Sequence, residues 1–131
     1  MAIDDVKAKV ARRRSNLLED IQRSEDAARE QYREEGGIAE SLRLGVRDLR
    51  HRVREIDAIL AILREGNDIE ATIGKLEARR NEHRSAHDRL PFTRSYGPAR
   101  HRLDLAARDC EEVMRLLRLE LLFDGQEAEE S

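Results

Sequence analysis

The sequence predicts an all-α fold: an antiparallel helical bundle, or long coiled-coil-like helical hairpins, built from about four helices. Three observations predict it. Apolar residues recur at three- and four-residue spacings along four segments. Charged residues make up 40% of the chain, against about 25% in an ordinary domain. Both prolines fall in one short stretch between two of the segments. Ile, Leu, Val and Phe account for 31 of 131 residues, enough for one modest core. A single domain is therefore expected over 1–123, followed by an acidic tail, 124–131, expected to be disordered.

The first stripe is Ile3, Val6, Val10, Leu17, Ile21, Ala28 and Tyr32. It holds its phase throughout and predicts one helix over roughly 3–35, about 50 Å long. Gly36-Gly37 ends it. The second stripe, Ile38, Leu42, Val46, Leu49, Val53, Ile56, Leu60 and Leu63, alternates steps of three and four and approaches a heptad seam. Gly66 stands where a left-handed C′ glycine belongs. Asn67 and Glu70 have the spacing of an N-cap and N3 pair.

The third helix is expected over 68–89. Its stripe begins apolar, with Ile69, Ile73 and Leu76, then becomes polar through Arg80, His83 and His87 before Leu90. Pro91 stops it, and Pro98 suits the first turn of the next helix, where a missing N–H is harmless. That fourth helix carries Leu103, Ala106, Cys110, Val113, Leu117 and Leu121 on one face. The glycine pair at 36–37 and the short connection at 66–67 make neighbouring helices antiparallel.

Two segments are apolar on every side: AILAIL (58–63) and VMRLLRLELLF (113–123). In an up-down bundle both lie at one end, together with the apolar half of helix three. Residues off the core stripes there, Ile59, Ile62, Met114, Leu116, Leu119, Leu122 and Phe123, are the expected interface to a protein partner. That partner is a second copy of the chain, making a homo-oligomer, or another amphipathic helix.

The opposite end is basic. Residues 79–102 hold seven arginines against two acids, and Arg43, Arg47, Arg50 and Arg54 line one face of helix two. A bare arginine stripe is not a helix-stabilising device, because like charges four apart repel. It calls for an anion. The acidic face of helix one, with Asp5, Glu19, Asp26, Glu30 and Glu34, is one source, and phosphate is the other. Arg43, Arg47, Arg50, Arg54, Arg89, Arg94, Tyr96, Arg100 and Arg102 are the candidate anion-binding residues. Phe92 and Tyr96 are expected to cap the end of the bundle.

No catalytic constellation is present. The single cysteine, Cys110, lies on a core stripe and is expected to be a buried, inert thiol. His83 and His87 share a helix face at a spacing that can hold zinc, but a third ligand would have to come from afar, such as His101. No metal or cofactor is therefore expected. The net charge of −3 supplies no global attraction to nucleic acid or acidic lipid. There is no apolar leader and no run long enough for a membrane span. The expectation is a cytoplasmic, non-enzymatic protein–protein interaction module of structural, adaptor or chaperone-like type that self-associates through the apolar ends of helices two and four. The alternative is nucleic-acid or polyanion binding through residues 43–54 and 79–102.

Overall fold

A computed structural model describes the backbone of residues 2–66 and 68–130, and the side chains of 3–66 and 68–123. Four helices follow one another: α1 (Ala2–Glu35), α2 (Glu40–Glu65), α3 (Ile69–Arg89) and α4 (Gly97–Glu130), with a 3₁₀ turn at Arg94–Tyr96 before the last. There is no strand among the described residues. No described helix is long and apolar enough to cross a membrane. The expected acidic tail, 124–131, lies outside the residues whose side chains are described.

Ion pairs fix the directions of the helices. Arg14 of α1 meets Asp57 of α2 at 2.5 Å, and Glu25 meets Arg50 at 2.5 Å, so the two run antiparallel. Arg84 of α3 pairs with Glu111 of α4, while Arg100 Nη1 donates to the carbonyls of Leu90 and His87, again antiparallel. The two hairpins are joined by Arg52 of α2 to Asp109 of α4 (2.9 Å) and by Arg13 of α1 to Glu112 (3.6 Å). The result is an up-down bundle of two hairpins.

The connections follow from local chemistry, with two departures from expectation. Gly36 adopts φ +74° and its N–H donates to Tyr32 O at 2.9 Å, the left-handed closure that only glycine makes without strain. Gly66, expected in that role, is instead extended (φ −89°, ψ 128°). Its missing side chain serves another purpose: the buried Thr72 hydroxyl occupies the place a Cβ would take, and donates to Asp68 O at 2.8 Å. The cap of α3 is Asp68, whose carboxylate accepts the Glu70 N–H at 3.1 Å. The expected cap, Asn67, lies outside the described residues. Pro91 and Pro98 behave as predicted, one just beyond the end of α3 and the other in the first turn of α4.

The core occupies one pole only. Ile3, Val6 and Val10 of α1, Ile56, Ile59, Leu60 and Leu63 of α2, Leu76 of α3, and Cys110, Val113, Met114 and Leu117 of α4 are buried together. Toward the other pole the α2 stripe continues through Leu42, Val46 and Leu49, but these are only half-buried, and Tyr32 of α1 is exposed. Here α1 and α2 pack on one another around Ala28, Leu42 and Val46, and the second half of α3 is polar and adds no apolar stripe.

Candidate functional site

Where the core thins, two carboxylates are buried, and both were hidden in the sequence among surface-like charges. Glu55 of α2 is 5% exposed and Asp109 of α4 is 4% exposed. Asp109 takes a two-pronged bond from Arg52 at 2.9 and 3.3 Å. Glu55 takes a two-pronged bond from Arg79 of α3, at 2.6 Å to Oε1 and 2.8 Å to Oε2. His83 Nε2 lies 2.9 Å from the same Oε1, and the Cys110 thiol donates to it at 3.4 Å. A readable signal existed: Glu55 precedes Ile59 and Ile62 by four and seven residues, so it belongs to a second inward face of α2.

Burial of Glu55 disfavours its charge, but the hydrogen bonds and charges of His83 and Arg79 outweigh this and hold its carboxyl at about 2. Burial, with Glu55 beside it, pushes the Cys110 thiol up to about 12, so it is protonated and unreactive at neutral pH. Because the Glu55 carboxyl is depressed, the unfolded chain binds the extra proton as the pH falls. The stability Glu55 contributes is fully present above about 4.5 and is lost by about 2, a change of roughly 3 kcal/mol. Urea midpoints measured between these pH values are expected to fall less steeply in Glu55→Gln, which cannot titrate.

Glu55 Oε1, His83 Nε2 and Cys110 Sγ lie within 4.8 Å of one another. The chemistry of these donors does not suit a cation: the carboxylate is already paired with Arg79, the thiol holds its proton, and Arg54 and Arg102 stand nearby. The group reads as a closed hydrogen-bond network. Of the two histidines whose spacing could hold zinc, His83 Nε2 lies 2.9 Å from Glu55 while His87 Nδ1 lies 3.1 Å from Asp88, and His101 lies 4.0 Å from Asp48.

The apolar pole differs in detail from its sequence reading. Ile59 and Met114, expected at an interface, are fully buried within the chain, and Ile62 and Leu116 pack half-buried against the core. The N-terminal turns of α1 thicken the core here, and α2 is covered on two sides. Leu119, Leu122 and Phe123 remain on the surface, the last two at 58% and 54% exposure. Leu121, assigned by its spacing to the core stripe, joins them.

The basic pole is sorted by the structure into engaged and free arginines. Of the α2 stripe, Arg50 alone finds an acid of α1, and it is Glu25, which the acidic face read from the sequence did not include. Arg43, Arg47 and Arg54 have no carboxylate within 4.0 Å among the described residues. Arg100 is used structurally, on two carbonyls and over the Phe92 ring at 4.3 Å. Arg89 donates to Ser85 O, and Arg94 and Tyr96 are exposed in the 3₁₀ turn. Phe92 does not cap the bundle: it is 90% exposed, with the Arg100 guanidinium over its ring.

Beside Glu55, α2, α3 and α4 line a solvent-open cavity of about 360 Å³, walled by His51, Arg54, Glu55, Arg79, His83, Ala99, Arg102, Leu103 and Ala106. Sequence spacing placed Arg54 and Arg102 in the basic region but passed over His51, although it lies four residues after Arg47 and three before Arg54 on the same face of α2. Comparison of the chain with family models, curated proteins and solved structures yields no match.

Proposed function

We propose that the chain is a non-enzymatic helical interaction module that pairs with a second copy of itself through the end of α4. One observation carries this reading: Leu119, Leu121, Leu122 and Phe123 form a run of large apolar side chains left exposed on the last part of α4 whose side chains are described. A helix apolar on all sides is normally covered on all sides, and the bundle covers only part of this one. A second copy suits the patch because its edge carries both signs, exposed Arg118 next to half-buried Glu120, so an identical surface offers each charge its opposite.

The double variant Leu119→Glu, Leu122→Glu is expected to raise the dimer dissociation constant by at least about a hundredfold, since each leucine removed from water contributes roughly 1.5–3 kcal/mol. Far-ultraviolet circular dichroism is expected to be unchanged, because both side chains lie outside the core. An unchanged mass by light scattering would remove the reading.

The alternative, nucleic-acid or polyanion binding through residues 43–54 and 79–102, is favoured by the lack of acidic partners for Arg43, Arg47 and Arg54. It requires affinity that falls linearly with salt on a log–log plot.

A further inference from the structure

The cavity between α2, α3 and α4 has an unusual charge balance for a recess in a protein of negative net charge. Arg79 is already neutralised by Glu55. Arg54 has no ion-pair or hydrogen-bond partner among the described residues. Arg102 Nη1 and Asp48 Oδ1 face each other at 4.0 Å, a long ion pair in which both atoms are buried and neither has a hydrogen-bond partner among the described residues. The Arg102 side chain keeps 19% of its surface exposed and lines the recess, which leaves other guanidinium N–H groups for an anion bound there. A second recess, lined by Arg43, Arg47 and Arg50, shares His51 and Arg54 with the cavity and extends its positive field outward.

We propose that this cavity binds a small phosphate monoester, clamped by Arg54 and Arg102, with His51 as a third donor and Leu103 against its organic part. Two guanidinium forks and an imidazole match the three oxygens and double charge of a terminal phosphate better than the two oxygens of a carboxylate. The recess opens to solvent beside the exposed Arg54, so a phosphate can enter on the end of a small organic group. Burial, then the charges of Arg102, Arg54 and Arg47, lower the pKa of His51 against the opposing pull of Asp48. A bound dianion reverses that field, so His51 takes up a proton on binding, with Arg79, His83 and Glu55 completing the wall across from it. The inference is independent of self-association through α4.

The test is calorimetric titration of the full chain with phenyl phosphate, inorganic phosphate, benzoate and an oligothymidylate, with His51 ring signals followed by NMR. Phenyl phosphate is expected to bind one to one and to raise the His51 titration midpoint. Arg54→Gln, at an exposed position, is expected to weaken binding by about tenfold or more with an unchanged melting temperature. Arg64→Gln, at the far end of α2, is expected to bind as the unmodified chain does. Equal affinity for inorganic and phenyl phosphate supports the site and makes free phosphate its ligand. Absence of saturable phenyl phosphate binding overturns the proposal. So does equal affinity in Arg54→Gln, benzoate binding as tightly as phenyl phosphate, or binding of the oligonucleotide alone.

Discussion

Arg79→Ala is expected to destabilise the protein by about 3–5 kcal/mol at neutral pH, as removing one member of a buried ion pair does. The Glu55 side chain is 6% exposed and both its oxygens are bonded to Arg79. Without the guanidinium, the carboxylate retains only His83 and the Cys110 thiol, and the neutral carboxyl becomes the favoured form. The loss is expected to shrink as the pH is lowered toward 4, where the variant can protonate Glu55 at little cost. Replacing both residues with methionine is expected to recover most of the stability, because the desolvation of both charges disappears together. Urea denaturation of the single and double variants checks this. A single-variant loss below about 1 kcal/mol, the range of a solvated surface pair, would contradict the arrangement described.

Ile59→Ala is expected to cost about 2–5 kcal/mol, the usual range for emptying a fully buried aliphatic site. Met114→Ala falls in the same range, since Met114 is equally buried. Leu122→Ala is expected to change the stability of the isolated fold by less than about 0.5 kcal/mol, because its side chain is mostly in water. The contrast separates core from surface within two segments of similar composition. Chemical denaturation at concentrations low enough to exclude dimers measures it. Equal losses at Ile59 and Leu122 would mean that the boundary between core and contact surface is drawn in the wrong place.

The helices were legible because their information is local. The stripe from Ile3 to Ile21, the seam from Val53 to Leu63, and Pro91 and Pro98 state their own periodicity and limits. Which glycine closes a helix was less legible: Gly36 and Gly66 stand in similar contexts, and the difference lies in Thr72, which packs where the Gly66 side chain would be. The apolar pole was found as a region but not residue by residue. Ile59 and Met114 looked surplus to one stripe, yet a helix with two covering neighbours has two inward faces. Glu55 and Asp109 were illegible as buried groups, because the sequence is crowded with acids and only the approach of Arg79 and Arg52 from other helices distinguishes these two. The cavity depends on the same long-range placement, bringing Arg54 and Arg102 together across 48 positions of chain.

The central claim is that the exposed end of α4 joins two copies, and sedimentation equilibrium of the unmodified chain tests it most directly. Over a range from about 1 µM to 1 mM, the account predicts a mass that rises with concentration toward twice the 15.2 kDa of one chain. A constant 15.2 kDa across that range would contradict it.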